Sequence, residues 1–292
     1  MTQDTDEINP FEQRNKQMEH VKQRMGKIKH KIAIISGKGG VGKSLVTVNL
    51  GVGLSMKEDD GKVGVLDADL TGPTIPKMLG LKGKKLEVGP PGIFPADGPE
   101  GVKVVSMDFL LPNDEAPVIW RGPLKMGAIR QFLGEVAWGD LEFLLVDLPP
   151  GTGDEPLSIL QLLPEMDGVV IVTIPSEVSE VVVRKAVTFA RKMNVPILGI
   201  IENMSGMVCP HCGEEIEVFS EGGGMSISED MDVDFLGSIP IDPRVSSASD
   251  EGVPFIIKYP EAPASKSFMK IIEKIEEKVK KQYQISNDGT IE

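Results

Sequence analysis

The segment Gly37-Lys38-Gly39-Gly40-Val41-Gly42-Lys43-Ser44 fits the pattern G-x-x-x-x-G-K-[ST] at every fixed position and adds a second lysine just after the first glycine. Glycines let the backbone wrap tightly and aim several N–H groups at phosphate oxygens, and a helix starting there adds its positive N-terminal end. In such a loop Lys43 sits against the terminal phosphates and the Ser44 hydroxyl ligates Mg²⁺. The chemistry is nucleotide binding, and Lys38 raises the question of what a partner subunit does at the phosphates.

Two acidic sites have the right placement to complete that chemistry. Asp147 ends the apolar run Phe143–Val146. An acidic residue ending a buried strand near a phosphate loop holds a Mg²⁺-bound water, the alternative on sequence alone being a helix N-cap or turn aspartate. Asp67-Ala68-Asp69 follows a second apolar run, Val63–Leu66. A different chemistry is offered by Cys209-Pro210-His211-Cys212, which holds the chain's only two cysteines. A C-x-x-C pair serves as a thioredoxin-like redox couple, as half of a zinc site or as part of an iron-sulfur site, and the spacing does not choose among them. His211, inside the cysteine loop, reads as a spacer.

These groups need a framework that brings them together. Lys31–Ser36 is a short apolar run fit for a buried parallel strand, and Leu45–Met56 carries a helix-compatible pattern, so strand, glycine loop and helix occur in the required order. Further strand-like runs at Val63–Leu66, Val102–Met107, Leu141–Val146, Val169–Ile174 and Ile197–Ile201 alternate with helical segments. That alternation predicts an α/β fold with a mostly parallel sheet. The Gly- and Pro-dense stretches Gly83–Gly101 and Pro112–Pro117 read as loops. Gly222-Gly223-Gly224 reads as the end of a turn, and Ile239–Arg244, with two prolines, as non-helical.

Residues 1–30 form a polar leader in which Met18, Val21, Met25 and Ile28 recur at helical spacing, expected to dock on the body or on a partner. Residues 31–284 are expected to form a single domain with the cysteine loop embedded at about 203–224, followed by a flexible tail over 285–292. The last helix is expected over about Ala264–Gln282, with Phe268, Ile272, Ile275 and Val279 on one apolar face. Its polar face mixes Glu273, Glu276 and Glu277 with lysines, which favours packing on the protein's own sheet over a membrane surface.

Composition narrows the setting. A net charge of −13 disfavours a broad grip on nucleic acid, and the lysines from Lys22 to Lys31 have acidic neighbours, so they read as a solvated mixed-charge surface. Hydrophobic content is 40% with no apolar run approaching the roughly 20 residues of a membrane span. Met1–Glu7 is polar and acidic, unlike a secretory signal. The expectation is a soluble cytoplasmic protein without a disulfide framework, a nucleic-acid partner or a membrane partner.

The run from Lys31 to Phe268 carries the phosphate loop, Asp67-Ala68-Asp69, Trp120-Arg121-Gly122-Pro123, Asp147–Asp154, Glu202-Asn203-Met204-Ser205 and the Cys209–Cys212 pair. It resembles the Mrp-type iron-sulfur cluster carriers within the MinD/ParA-like branch of P-loop ATPases. The resemblance implies a P-loop NTPase fold with helices on both faces of the sheet, ATP and Mg²⁺ as cofactors, and slow hydrolysis of ATP to ADP and phosphate. It also implies that Asp69 orients the attacking water, that Lys38 reaches across a homodimer interface, and that Asn203 and the Pro240-x-Asp242 turn read adenine. Asp67 is then support. No N-K-x-D guanine signature occurs, since Asn15-Lys16-Gln17-Met18 lacks the aspartate.

For the cysteines, the resemblance implies a [4Fe-4S] cluster delivered to recipient apoproteins. A cluster normally takes four thiolates and this chain supplies two, so a two-fold dimer closes the count. The chain lacks the N-terminal cysteine cluster of the longer eukaryotic relatives, and its leader is short for the extra domain of some bacterial ones, so it is most like the compact prokaryotic form. The competing expectations are a MinD/ParA-like positioning protein switched by ATP, and a zinc-bridged ATPase dimer.

Overall fold

Strands that are apolar on both faces require cover on both. A computed structural model of the protein, which describes residues 10–59, 61–69, 72–110, 122–209, 212–216, 218 and 223–288, meets that requirement. The first half runs α1 (Pro10–Met25), β1 (His30–Ser36), α2 (Lys43–Ser55), β2 (Val63–Asp67) and α3 (Ile75–Met78). The short strands β3 (Glu87–Gly89), β4 (Gly92–Phe94) and β5 (Ala96–Asp97) precede β6 (Lys103–Ser106). Then come α4 (Gly122–Glu135), β7 (Phe143–Asp147), α5 (Asp154–Leu162), β8 (Gly168–Thr173), α6 (Glu177–Lys192) and β9 (Ile197–Val208). The chain continues through β10 (Glu215–Ile216), α7 (Gly223–Asp230), β11 (Phe235–Ile241), α8 (Arg244–Glu251), α9 (Phe255–Lys258) and α10 (Pro263–Asp288).

Among the described residues nine strands form one sheet in the order β10-β9-β8-β1-β7-β2-β6-β5, with β11 also pairing β9. The ladders joining β11, β9, β8, β1, β7, β2 and β6 are parallel, whereas β5 and β10 pair antiparallel at the margins. Successive residues of β1 feed different cores: Ile32 and Ile34 pack with α2, α3, α9 and α10, and Ala33 and Ile35 with α1, α4, α5, α6 and α7. The period of two along a strand is what splits the apolar run between two helical layers.

The leader helix is part of the second layer. Val21, Met25 and Ile28 are buried, and α1 packs on α4. Lys31 leaves the mixed-charge surface expected of it: its side chain is buried, and Nζ donates to the Ile28 carbonyl at 2.8 Å, satisfying an acceptor just past the end of α1. Burial pushes the Lys31 ammonium below its ordinary range.

Several boundaries differ from expectation for local reasons. The strand β9 extends through Val208 because β11 and β10 supply partners along Asn203–Val208, so the cysteine loop is shorter than 203–224. Gly223 and Gly224 open α7 instead of ending a turn. The helix α10 continues through Asp288, into the expected tail, since no Gly or Pro interrupts the chain before Gly289. Its face of Phe268, Ile272, Ile275 and Val279 is buried against the core. Within Gly83–Gly101 the chain forms the β3–β4 hairpin and β5. Pro112–Pro117, Trp120, Arg121, Pro210, His211 and Gly222 lie outside the described residues.

Candidate functional site

Parallel strands place their following loops on one edge of a sheet, and here that edge gathers the acidic groups. In register, Asp147 of β7 lies beside Ile34 of β1 on one side and Asp67 of β2 on the other, and Asp67 lies beside Ser106 of β6. The phosphate loop leaves β1 at this edge and enters α2. Gly42, at the cap of α2, has a φ of 81°, a left-handed conformation that suits glycine, and it has no side chain to occupy the helix's first N–H groups.

Asp147 is fully buried and receives three side-chain donors. Lys43 Nζ donates to Oδ2 at 2.7 Å, the Ser44 hydroxyl to Oδ2 at 2.6 Å, and the Thr47 hydroxyl to Oδ1 at 2.6 Å. Lys43 and Thr47 are one helical turn apart and so present to the same carboxylate. A buried ion pair is secure only when its remaining lone pairs are satisfied, and removing one partner typically costs about 3–5 kcal/mol. The hydroxyl of Ser44 and the carboxylate of Asp147 are hard oxygen donors side by side, the set that suits Mg²⁺.

Asp67 is also buried. It accepts from the Ser106 hydroxyl at 3.0 Å and from the Asp69 backbone N–H at 3.3 Å. Burial, followed by the neighbouring Asp147 carboxylate, pushes the Asp67 carboxyl well above its usual range. Asp69, two residues beyond, is half-buried at the same edge. The backbone carbonyl of Lys38 accepts from the Ser36 hydroxyl at 3.0 Å, and the Lys38 residue is half-buried. The loop after β7 lies against this segment: the Gly151 N–H donates to the Ser36 carbonyl at 2.8 Å.

Asn203 of β9 meets the phosphate loop directly, its Nδ2 donating to the Val41 carbonyl at 2.9 Å. A Cβ at Gly42 would fall 2.2 Å from that same nitrogen. Pro240 lies in β11 and Asp242 just after it. Arg244 grips the Asp242 carboxylate with Nε at 2.9 Å and Nη2 at 2.6 Å, and these hydrogen bonds hold its pKa below the usual value. The guanidinium of Arg244 also lies over the Tyr259 ring at 4.6 Å.

The cysteines stand just beyond the end of β9. Cys209 is half-buried and Cys212 exposed, and neither forms a disulfide. The Cys209 N–H donates to the Glu214 carbonyl at 2.8 Å, and the Gly213 N–H to the Cys209 carbonyl at 2.9 Å, which closes the turn between β9 and β10. A cavity of about 100 Å³ separates Cys209 from Pro240, Asp242 and Arg244. Among the described residues no cluster of three His, Cys, Asp or Glu side chains is placed to hold a metal ion. A larger cleft of about 740 Å³, lined by Lys29, Lys31, Asp167 and Tyr283, opens where β1 begins, away from the phosphate loop at its other end.

The structure thus brings Lys43, Ser44, Asp147, Asp67 and Asn203 into one connected group with Asp69 beside it, and sets the cysteines apart at the end of β9. Sequence reasoning missed Thr47 and Ser106. Thr47 had a usable signal, the four-residue helical spacing from Lys43.

A parallel sheet with helices on both faces, a glycine phosphate loop between β1 and α2, and aspartates ending β2 and β7 define a P-loop NTPase. The ParA-type family described as NUBPL iron-transfer P-loop NTPase matches residues 27–276, and the chain belongs to it. An iron-sulfur cluster carrier protein of Methanocaldococcus jannaschii is 52% identical over 259 residues, covering 89% of this chain and 88% of the relative. One of Saccharolobus solfataricus is 52% identical over 255 residues, covering 87% and 86%. Among solved structures, a nucleotide-binding protein from Archaeoglobus fulgidus in complex with ADP, in which cobalt was found, superposes with a TM-score of 0.72. It is 43% identical, and the match covers 80% of this chain and 91% of that one. The septum site-determining protein MinD of Pyrococcus horikoshii, complexed with Mg-ADP, is 25% identical with a TM-score of 0.62, covering 85% and 96%.

Proposed function

We propose that this protein is a cytoplasmic, ATP-binding and ATP-hydrolysing carrier that holds a [4Fe-4S] cluster at a homodimer interface and passes it to apoproteins. The observation that carries this reading is that one strand leads from a residue bound to the phosphate loop to the C-x-x-C turn: Asn203 lies in β9, and Cys209 directly follows its last residue, Val208. The names borne by relatives about half identical to the chain point the same way.

In this reading the loop amides of Gly37–Ser44 cradle the phosphates, Lys43 swings its charge from Asp147 to the terminal phosphates, and Asp69 holds the attacking water in line. Ser44, and Asp147 through water, would hold Mg²⁺, which when bound would supply charge neutralisation at the phosphate oxygens. Lys38 of one subunit reaches the phosphates of the other, so turnover depends on dimer geometry. Pro240 and Asp242, with Asn203, read adenine. The cluster is cargo: Cys209 and Cys212 of each chain give the four thiolates, and an exposed position near the two-fold axis permits handover.

Anaerobic purification followed by visible absorbance, metal analysis and phosphate release tests this directly. A brown protein containing iron and sulfide that releases phosphate from ATP supports the reading. A colourless protein with stoichiometric zinc supports the zinc-bridged alternative.

A further inference from the structure

Next to Asn203 in β9 stands Glu202, a carboxylate only 1% exposed. Successive strand residues face opposite sides of a sheet, so Asn203 reaches the phosphate loop on the α2 side while Glu202 faces α7. Burying a carboxylate is costly unless it is hydrogen-bonded. Glu202 accepts from the Ser205 hydroxyl at 2.7 Å through Oε1 and from the Gly224 backbone N–H at 2.6 Å through Oε2. The second bond also places a negative charge at the N-terminus of α7, where the helix dipole favours it.

Those two donors bracket the cysteine turn, since Ser205 precedes Cys209 and Gly224 follows Cys212. The backbone is shaped to bring them in. Met204 has a φ of 57° and Gly206 of 67°, so left-handed residues on either side of Ser205 put an irregularity into β9, where its pairing with β11 shifts register between Asn203 and Met207. A non-glycine residue held there costs of order 1 kcal/mol and persists where surrounding contacts impose it. A Cβ on Gly224 would lie 3.0 Å from Glu202 Oε2 and 3.2 Å from the Phe235 ring, so glycine permits the close approach.

We propose that Glu202 is a positioning residue for the cysteine pair, fastening both ends of the segment that carries it, and that the Glu202-Asn203 dipeptide couples nucleotide binding to the cysteines. A shift of the Val41 carbonyl pulls on Asn203, and the adjoining Glu202 carries the displacement to Ser205 and α7. The role given to the cysteines rests on the carrier reading above, but the coupling can be read without a cluster.

The test is the alkylation rate of Cys209 and Cys212 by iodoacetamide in cluster-free, full-length protein, followed by mass spectrometry with and without Mg²⁺ and a non-hydrolysable ATP analogue. Three chains are compared: wild type, Glu202→Gln, whose amide can still accept from Gly224 and donate to Ser205, and Glu202→Met, which can do neither. In wild type and Glu202→Gln the analogue should change the rate about fivefold or more, the low end of ordinary coupling between sites. In Glu202→Met the change should fall below about twofold while analogue affinity by calorimetry stays within about threefold. Ser205→Ala, which removes one hydroxyl donor, gives a second readout if the Met variant does not fold, and its response should be intermediate. An unchanged response in Glu202→Met, or in Ser205→Ala where it is the variant that folds, would overturn the coupling, as would no response in wild type. Iron and sulfide content of the wild type judges the carrier reading separately.

Discussion

Lys43 Nζ and Asp147 Oδ2 lie 2.7 Å apart with side-chain exposures of 5% and 0%, so the lysine of the phosphate loop and the aspartate ending β7 form one buried ion pair. Replacing Lys43 by Ala therefore has two consequences: nucleotide binding is lost, and Asp147 is left beside the Asp67 carboxyl with only hydroxyl donors. The predicted cost is about 3 kcal/mol in chemical denaturation. Adding Asp147→Asn should recover part of that stability without restoring ATP binding by calorimetry. Equal ATP affinity in wild type and Lys43→Ala would remove the phosphate-loop assignment.

Asp67 sets a pH signature. Its carboxyl titrates above the usual 3.8, first through burial and then through Asp147, so the native state holds its proton where the unfolded chain has released it. Stability contributed by this site therefore falls as pH rises from the ordinary value through the raised one. Asp67→Asn keeps an acceptor for Ser106 and the Asp69 N–H and abolishes the titration. In EDTA-containing buffer, the Tm of Asp67→Asn minus that of wild type should increase between about pH 4 and pH 7. A difference independent of pH would contradict the raised carboxyl.

The glycines of the phosphate loop are not equivalent. A Cβ at Gly37 would lie 2.3 Å from Val182 Cγ1 and 2.7 Å from the Val182 carbonyl oxygen, whereas at Gly39 the nearest atom, Pro150 Cγ, is 4.0 Å away. Gly37→Ala should lose about 1–3 kcal/mol by overpacking. Gly39→Ala should stay within about 0.5 kcal/mol, as exposed substitutions do, while still weakening ATP binding if the loop must approach phosphate closely. Equal melting temperatures for the two variants would contradict the packing of α6 on the loop.

Lys38→Ala and Asp69→Asn should each bind ATP and turn it over poorly. If Lys38 acts across a dimer, mixing the two inactive chains places both defects in one site and leaves the other intact, so phosphate release should partly return. No recovery after demonstrated subunit exchange would show that Lys38 acts within its own chain.

The sequence carried the phosphate site because its geometry is local: strand, loop and helix are contiguous from His30 to Ser55, and the acidic ends of β2 and β7 follow clear apolar runs. The strand β11 was not legible, since Gly237 and Pro240 interrupt its pattern and its edge position beside β9 supplies the order. Glu202 was visible in the sequence, but its role depends on Gly224 approaching from across the cysteine turn, a tertiary contact without a local signal. Ser106 likewise meets Asp67 only through the β2–β6 register. The placement of Asn203 against the Val41 carbonyl adds a support role to a residue read from the resemblance as adenine-facing.

The central claim is that two thiolates from each of two chains hold one cluster. It is tested most directly by iron and acid-labile sulfide analysis of anaerobically reconstituted protein on a size-defined dimer, beside Cys209→Ala and Cys212→Ala. The account predicts about four irons and four sulfides per dimer in wild type. Cluster should be lost in either variant, with ATP affinity largely kept, because the phosphate loop and the cysteine turn are separate elements. A full cluster on each monomer, or unchanged cluster content in Cys209→Ala, would contradict it.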